Sequence, residues 1–549
     1  MPVTRVAIIG GGVSGLVSTK TCLEEGLEPV CFEQSDQYGG VWVMRDETST
    51  AARPAATVYD CLLTNSCKHM MCFSDFPFDG ERSTYLQGRD VWSYYQRYAK
   101  NFGLEPHIRL NTSVLRVEPT ADFEVTGQWK VTSQRVGSDP QDEVFSAVLV
   151  CSGRHTHCHI PHFPGLSDYR GEIEHSGDFK NGQKFAGKTV VVIGGSHSAG
   201  DVAVDVSRYA KRTFLAMRGG TWVFPRQGPG STPIDAFLTR RVWGLLPVSV
   251  RRMIIGTVLR QRLNFKSLGL QSERPLFQST NVMINDEIGV RIWCDALKAK
   301  PNVARFTETG VVFTDGSEVD NVDAVVFATG FEVKFPFLEK FIVNDDDENM
   351  ELYWHIFPPR LAHHTIGLIG NVIAFGPQPP VYELQARLAT RVFKGLISLP
   401  KTEEMLADVS KRKMMYFKLF GKHKIFFPPI PYMDMLAEKV GCRPRLLDLF
   451  KIDPRFPFKY LFGPCYPMYY RLVGPNAWSG AHTAILQARD EPRAKVVART
   501  KSVDDKSPDA DKPTSQMLES IMEFNVALYV LVQTTYYHAG VAETGIELS

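Results

Sequence analysis

The stretch Val6-Ala7-Ile8-Ile9-Gly10-Gly11-Gly12-Val13-Ser14-Gly15 decides the fold of this 549-residue chain. Its four leading apolar residues predict a buried parallel strand, and Leu16 to Glu25 predict the helix after the glycine turn. Glycines at such a turn let the backbone approach a pyrophosphate, and the N-terminus of the helix presents its positive dipole end to the phosphates. The pattern predicts a Rossmann-like α/β unit that binds a dinucleotide.

A carboxylate follows the next predicted strand at the spacing that this kind of unit uses. The strand Pro29 to Phe32 ends at Glu33, 18 positions after Gly15. A carboxylate at this place accepts hydrogen bonds from ribose hydroxyls and repels a 2′-phosphate. The first unit is therefore expected to bind FAD rather than NADP. The residues expected to form this site are Gly10, Gly11, Gly12, Val13, Ser14, Gly15 and Glu33.

A second glycine-rich turn, Gly194-Gly195-Ser196-His197-Ser198-Ala199, follows the predicted strand Thr189 to Ile193. The next strand, Thr213 to Ala216, ends without a carboxylate and leads to Arg218. A guanidinium at this position suits the 2′-phosphate of NADP, although a solvated cation at a strand end is the alternative. NADPH is therefore expected here. The expected contacts are Gly194, Ser196, His197, Ser198, Ala199 and Arg218.

Composition excludes several other classes of protein. A formal net charge of +2 gives no reason to expect nucleic-acid binding. Ten cysteines include no Cys-x-x-Cys pair, which argues against a zinc knuckle or a dithiol redox centre. The histidines between 154 and 162 alternate in a proline-bounded linker without the spacing of a ligand set, so no metal site is expected. The first strand begins near Val3, which argues against a secretory signal peptide.

Two further strands frame the second turn and predict the domain organisation. Ala147 to Val150 ends in Cys151-Ser152-Gly153, and Ala324 to Phe327 ends in Ala328-Thr329-Gly330. The simplest α/β topology inserts an NADP domain into an FAD domain. The expected boundaries are 1–160 for the first part of the FAD domain, 161–328 for the NADP domain and 329–498 for the second part of the FAD domain.

Helical elements that associate with a membrane are expected in addition to the two Rossmann-like domains. An apolar, basic insert is expected at about 230–295, because residues 237–265 combine apolar residues with six arginines. An ordinary helix pair packed on its own domain is the alternative. Residues 411–427 mix lysines with aromatic residues in the same way. Residues 499–515 predict a linker, and 516–549 a membrane-associating tail that is poor material for a span.

Many short motifs in one order carry a resemblance that covers nearly the whole chain. The chain resembles an animal flavin-containing monooxygenase of the microsomal, dimethylaniline type. The pattern that identifies this family, F-x-G-x-x-x-H-x-x-x-(Y/F), is found here from Tyr169 to Phe179. Other matching stretches are Cys22 to Pro29, Gly39-Gly40-Val41-Trp42, Thr64-Asn65-Ser66-Cys67-Lys68, Phe76-Pro77-Phe78, Phe327 to Phe331, Glu383-Leu384-Gln385, Phe462 to Cys465 and Tyr470-Arg471-Leu472.

Three departures from the family pattern concern the nicotinamide half of the chain. Tyr169 replaces the leading phenylalanine, Ser196 replaces the middle glycine, and His197 stands where animal members usually have asparagine. The choice between NADPH and NADH is therefore open. The terminal Phe179 is similar to the branch that oxidises heteroatoms.

The resemblance implies a flavin-dependent monooxygenase that uses NADPH and O2. Its C4a-hydroperoxyflavin would oxygenate soft nucleophilic nitrogen or sulfur atoms of small xenobiotics, which requires no acid–base dyad. Baeyer–Villiger oxidation of ketones and an uncoupled NADPH oxidase that produces H2O2 are alternatives. A third is a catalytically degenerate, FAD-containing membrane scaffold.

The resemblance also implies site residues and a location. Asn65 is the expected catalytic residue, facing the reactive edge of the flavin, and its amide can both donate and accept hydrogen bonds. The family match adds Gly40, Val41, Trp42, Thr64, Ser66, Thr329 and Gly330 to the expected cofactor contacts. The expected location is the cytosolic face of the endoplasmic reticulum membrane, reached by peripheral or C-terminal anchoring. Homo-oligomerisation and the identity of the amine or sulfide substrate stay open.

Overall fold

A computed structural model describes residues 3–44, 56–80, 82–278, 282–344, 350–420 and 426–488. The predicted linker 499–515 and tail 516–549 lie outside the described residues.

Strands and helices are numbered along the chain. The strands are β1 Arg5–Ile9, β2 Glu28–Phe32, β3 Ile108–Arg109, β4 Thr112–Pro119, β5 Trp129–Arg135, β6 Gln141–Phe145, β7 Ala147–Val150, β8 His157–Cys158, β9 Glu172–His175, β10 Thr189–Ile193, β11 Arg212–Ala216, β12 Trp222–Phe224, β13 Val282–Ile284, β14 Lys298–Lys300, β15 Val303–Phe306, β16 Val311–Phe313, β17 Glu318–Val319, β18 Ala324–Phe327, β19 Phe331–Glu332, β20 Ile366–Leu368, β21 Ile373–Ala374 and β22 Phe426–Phe427. The helices are α1 Val13–Glu24, α2 Lys68–Met71, α3 Gly88–Asn101, α4 Phe123–Thr126, α5 His197–Val206, α6 Ile234–Leu238, α7 Arg241–Gly244, α8 Val248–Arg262, α9 Ile288–Trp293, α10 Pro379–Phe393, α11 Thr402–Phe420, α12 Pro429–Val440, α13 Leu446–Ile452 and α14 Phe456–Phe462.

Two five-stranded parallel sheets with the same internal order form the framework. The first has the order β20-β7-β1-β2-β3, and the second has the order β9-β18-β10-β11-β14. In each sheet the central strand leads into a glycine-rich turn and pairs with the strand that ends in a small-residue turn. The expected α/β fold with two Rossmann-like units is confirmed.

The central strands are buried on both faces, because helices cover one face of each parallel sheet and a three-stranded antiparallel sheet, β4-β5-β6 or β15-β16-β17, covers the other. Every residue of β10 is buried, and β1 is buried from Val6 to Ile9. β-Branched residues fill both strands, which suits a parallel sheet that water cannot reach. In the first unit α1 packs between β1 and α10, and α10 begins with Pro379 and Pro380. Proline is tolerated in a first helical turn because its missing N–H would have had no partner there.

The two crossings between the sheets run side by side. β8 pairs with β19 in antiparallel register, with Phe331 opposite Cys158 and Glu332 opposite His157. The second sheet takes its strands from 172 to 327, whereas the first takes strands before 151 and after 365. The chain therefore leaves the first unit and returns to it through one short two-stranded ribbon.

A buried ionic cluster ties the C-terminal segment to the first unit. Arg471 is 1% exposed. Its guanidinium lies 3.0 Å from Glu24 on α1, 2.9 Å from Asp75 in the loop after α2, and 2.9 Å from Glu383 on α10. Lys20 pairs with Glu24 and Asp75. Buried charges are tolerated only when they are paired in this way, because an unpaired ion loses its hydration without compensation.

The predicted basic, apolar insert contains helices α6, α7 and α8. Ile255 and Leu259 of α8 are buried against the second unit, while Met253 is 62% exposed. Across the described ranges, no helix combines the length and hydropathy that a membrane crossing requires. The helices are present, and their membrane association stays a prediction.

We predict that Gly15→Ala destabilises the chain by about 3 kcal/mol or more, because the added methyl must displace backbone. A Cβ at Gly15 would lie 1.8 Å from the carbonyl oxygen of Gly10. Gly244→Ala is the matched control, since a Cβ at Gly244 meets nothing within 4 Å. Urea unfolding of both variants measures the difference. Equal unfolding midpoints would contradict the close approach of β1 and α1.

Candidate active site

The carboxyl ends of both parallel sheets border one cavity of about 1530 Å³. It receives the turns after β1, β7, β10 and β18, the position at which open α/β sheets bind ligands. The expected site residues that line it are Gly10, Gly12, Val13, Ser14, Glu33, Gly40, Val41, Trp42, Thr64, Asn65, Ser66, Gly194, Ser196, His197, Ser198, Arg218, Thr329 and Gly330. The two glycine-rich turns, about 185 positions apart in the sequence, therefore share one space.

Three expected cofactor contacts, Gly11, Gly15 and Ala199, are not among the residues that line the cavity. Gly15 allows α1 to pack on the Gly10 carbonyl, as the clash distance of its missing Cβ shows. Ala199 plays the matching part in the second unit, where it is buried and lies against Gly194. A small residue at the third position thus serves the packing of helix on strand.

Glu33 is held by backbone and side-chain donors at the end of β2. Its Oε2 accepts the N–H of Gly11 at 2.7 Å, and its Oε1 accepts the N–H and hydroxyl of Ser35 at 2.9 and 2.8 Å. A carboxylate has about four acceptor sites, so these three bonds leave about one site for a ribose hydroxyl. Gly11 therefore contributes by fixing Glu33 rather than by facing the cavity.

The two departures in the second turn both contact β13. The Ser196 hydroxyl donates to the carbonyl of Val282 at 3.0 Å, and the N–H of Ile284 donates to Nδ1 of His197 at 3.1 Å. Burial, with a further contribution from Arg226, lowers the pKa of His197 to about 4. The imidazole is therefore neutral at physiological pH, with its proton on Nε2. Both residues attach the insert to the N-terminus of α5.

The departure at Tyr169 has a local explanation. Its hydroxyl donates a hydrogen bond to the carbonyl of Val322 at 2.9 Å, within the second unit and away from the cavity. A phenylalanine would pack in the same place without this bond. Phe179, at the other end of the motif, is fully buried, and its ring meets Tyr59 edge to face.

Arg226, which follows β12, holds the loop that carries Asn65. Its Nε donates to the carbonyl of Thr64 at 3.1 Å, and one terminal nitrogen reaches the carbonyl of Leu63 at 3.0 Å and Oδ1 of Asn65 at 3.4 Å. Its other terminal nitrogen pairs with Asp286 at 3.2 Å. The sequence alone does not indicate Arg226, because its partners are backbone carbonyls about 160 positions away that no spacing rule connects to it.

The Arg226 contact orients the Asn65 amide. Its oxygen already accepts from the guanidinium, so its nitrogen is the group left to donate hydrogen bonds to a ligand in the cavity. Gly40 and Trp42 border the same space from a single 3-10 turn, and a Cβ on Gly40 would lie 3.0 Å from Cα of Gly12. The backbone of this turn thus packs on the first glycine-rich turn.

The buried carboxyl of Asp235 lines the cavity on the insert side. Its Oδ2 accepts the N–H of Cys67 at 2.8 Å, and its Oδ1 has no hydrogen-bond partner in the described part of the chain. Burial raises the pKa of Asp235 to about 6, against the opposing effect of the Cys67 N–H bond. No sequence motif indicates Asp235, because it lies on a short helix within the apolar insert.

Comparison with known proteins identifies the family. The model of the flavin-binding monooxygenase-like family matches residues 3–536. The chain belongs to that family. Human flavin-containing monooxygenase 5 is 40% identical over 504 residues, which span 90% of this chain and 93% of that protein. Human flavin-containing monooxygenase 2 is 38% identical over 512 residues, or 92% and 94% of the two chains.

Solved structures of similar fold include two oxygenases. S-allyl-L-cysteine S-oxygenase from Allium sativum superposes with a TM-score of 0.61 at 25% identity, over 89% of this chain and 98% of that one. Cyclohexanone monooxygenase superposes with a TM-score of 0.58 over 80% and 97% of the two chains, and its 18% identity indicates a shared fold alone.

As a member of the flavin-binding monooxygenase-like family, this chain takes FAD and NADPH as cofactors. The residues around the cavity fit both. Two glycine-rich turns, each at the N-terminus of a helix, line the cavity with backbone that no side chain covers, and such a site suits a pyrophosphate. The buried Oδ1 of Asp235 and Oγ of Ser152 lack partners among the residues that the structure covers, so a bound ligand can satisfy them.

We predict that Arg226→Lys lowers the rate of substrate oxygenation about tenfold while leaving the FAD content unchanged. One ammonium cannot reach the carbonyls of Leu63 and Thr64, Oδ1 of Asn65 and Asp286 together, so the loop loses charge-assisted hydrogen bonds. Arg208→Lys is the control, because Arg208 pairs with Glu287 at 2.7 Å outside the cavity. Steady-state kinetics and flavin absorbance measure both quantities. A wild-type rate in Arg226→Lys would refute the role.

Proposed function

We propose that this chain is an FAD- and NADPH-dependent monooxygenase that oxygenates soft nucleophilic nitrogen or sulfur atoms of small xenobiotic molecules. The observation that carries the proposal is the single cavity bordered by both glycine-rich turns and by Asn65. The names of similar proteins support oxygenation at both nitrogen and sulfur. Dimethylaniline monooxygenase [N-oxide-forming] 2 from Pan troglodytes is 38% identical, and the Allium sativum enzyme is an S-oxygenase.

The proposed contacts divide between the two cofactors. FAD would be held by residues of the first glycine-rich turn, the end of β2, the 3-10 turn and the Asn65 loop: Gly10, Gly12, Val13, Ser14, Glu33, Gly40, Val41, Trp42, Thr64 and Ser66. NADPH would be held by the second glycine-rich turn and the residue after β11: Gly194, Ser196, His197, Ser198 and Arg218. Thr329 and Gly330 would contact a cofactor at the crossing between the units. Arg218 is exposed at the end of β11, where its guanidinium is available to a 2′-phosphate.

The chain's own residues would position the reaction and keep water from it. When bound, FAD supplies the redox chemistry, since it accepts a hydride from NADPH and activates O2. Asn65 would donate a hydrogen bond through Nδ2 while Arg226 holds its oxygen. A fixed donor of this kind needs no reorganisation during the reaction.

The cavity wall favours substrates with apolar bodies. Phe224, Leu238 and Phe375 line it, and the rings of Phe224 and Phe375 meet at 6.0 Å. An apolar wall selects by size and access more than by hydrogen bonding, which suits a broad range of small amines and sulfides.

We also propose that the enzyme works at the cytosolic face of the endoplasmic reticulum membrane. Met414, Met415 and Phe417 of α11 are exposed beside Lys411 and Lys413, and such a mixture suits a lipid interface. A membrane-bound, homo-oligomeric form is part of this proposal. Sedimentation of expressed protein with microsomes, before and after removal of residues 499–549, tests the attachment.

The experiment that tests the function mixes the enzyme anaerobically with NADPH and then with oxygen. We expect NADPH to bleach the flavin absorbance, and a tertiary amine or thioether to yield about one product per NADPH. Product from ketones instead would indicate Baeyer–Villiger oxidation, and H2O2 without product an oxidase. Failure of NADPH to reduce the flavin would indicate a scaffold whose second site is degenerate.

We predict that Asn65→Asp keeps FAD bound and reducible but diverts most of the NADPH consumed into H2O2. The new carboxylate can pair with Arg226 and keep the loop in place, yet it has no N–H to donate. Product and peroxide per NADPH, measured with one thioether, give the partition. Unchanged coupling in this variant would remove Asn65 from the reaction.

A further inference from the structure

Asp235 and Arg226 hold the same loop from one segment of the second unit, residues 226–240. Arg226 binds the loop at Leu63, Thr64 and Asn65, and Asp235 binds it at the N–H of Cys67, two positions after Asn65. The N–H of Ile234 donates to the carbonyl of Arg226 at 2.9 Å, so the two holding residues belong to one closed turn.

We propose that Asp235 is a positioning residue of the reaction, whose carboxylate fixes the Cys67 backbone and thereby places the Asn65 amide in the cavity. The inference rests on the proposed function, because Asn65 is the group that it positions. With Arg226 alone the loop would be held on one side of Asn65, whereas Asp235 fixes the other side. A donor that is fixed on both sides keeps its direction when the cavity fills.

The surroundings of Asp235 indicate that its carboxyl group lowers the stability of the folded chain. The carboxyl group is 6% exposed, and one of its oxygens has no partner in the described residues. A buried carboxylate with an unsatisfied oxygen costs free energy, and a neutral residue of the same shape would not incur that cost. Residues that lower stability in this way are concentrated at functional sites.

The groups that face Asp235 do not supply a compensating charge pair. The Cys67 thiol and the phenols of Tyr85 and Tyr466 surround it, and burial raises the pKa of all three, so they are neutral at physiological pH. The cations on the same segment are Arg226, engaged with the loop and Asp286, and Arg240, which donates to the Ala236 carbonyl at 3.3 Å. The Cys67 N–H is therefore the main partner of the carboxylate, and the Cys67 thiol adds a second, weaker hydrogen bond.

The first experiment compares Asp235→Ala and Asp235→Asn with a control carboxylate. Asp205 is buried in the same unit and accepts the N–H of Gly182 at 2.7 Å, but it does not line the cavity. Asp235→Ala should raise amide hydrogen exchange in the peptide 64–70 about tenfold and lower product per NADPH several-fold, while Asp205→Asn changes neither. Faster exchange with unchanged coupling, or the same loss in Asp205→Asn, would overturn the proposal.

A pH profile provides a second readout that folding defects do not imitate. Since the pKa of Asp235 is about 6, the wild type should lose coupling as pH falls below 6, whereas Asp235→Asn should lack this limb. The folded chain binds this proton more tightly than the unfolded chain, so ionisation above pH 6 lowers stability. Asp235→Asn should therefore melt no lower than the wild type at pH 8. A limb that persists in the variant would refute the assignment.

A third variant removes the donor and leaves the carboxylate. Cys67 has φ −70°, the angle that proline imposes, so Cys67→Pro deletes the N–H without changing φ, and Cys67→Ala, which removes the thiol and keeps the N–H, is its control. If Asp235 acts through this N–H, the losses of coupling in Cys67→Pro and Asp235→Asn will not add in the double variant. Additive losses would contradict the proposal. If the wild type does not oxidise NADPH, the proposed function fails, whereas the exchange data still report on the loop.

Discussion

The guanidinium of Arg226 is the interaction on which the shared site depends. It comes from the inserted unit, and it donates to three groups of a loop that belongs to the first unit. Two nucleotide-binding units can pass electrons between their ligands only if their relative placement is fixed. A planar, permanently charged fork with several donors is suited to this task, because it fixes direction as well as distance. The orientation of Asn65 follows from this contact.

In both sheets a glycine after the central strand lets two turns pack backbone against backbone. A Cβ at Gly10 would lie 2.7 Å from the carbonyl oxygen of Cys151, and a Cβ at Gly194 would lie 2.3 Å from that of Ala328. In both units the turn after the central strand packs directly on the turn after its neighbour. Both turns therefore keep their backbones exposed to the cavity, which explains why small residues occur in four places that are far apart in the sequence.

The departures from the family pattern in the second turn are structural adaptations. Ser196 and His197 use their side chains to bind β13, which belongs to the same unit as Arg226 and Asp235. The second glycine-rich turn therefore contacts the same part of the second unit that holds the Asn65 loop. The C-terminal segment is secured differently, through the buried guanidinium of Arg471 and its ion pairs with Glu24, Asp75 and Glu383.

The sequence by itself determined the α/β fold and both glycine-rich turns, and it indicated Glu33 and Arg218 as candidate contacts. These follow from local patterns, since a buried strand, a glycine turn and a charged residue after the next strand are neighbours along the chain, whereas Asn65 was indicated by the family resemblance alone. Only the tertiary structure decided that Gly15 and Ala199 serve packing, that Gly11 fixes Glu33, that Arg226 holds the Asn65 amide oxygen, and that Asp235 binds the Cys67 N–H. Those contacts join residues more than 160 positions apart, or depend on which face of a turn meets a neighbouring backbone, and no periodicity in the sequence encodes either.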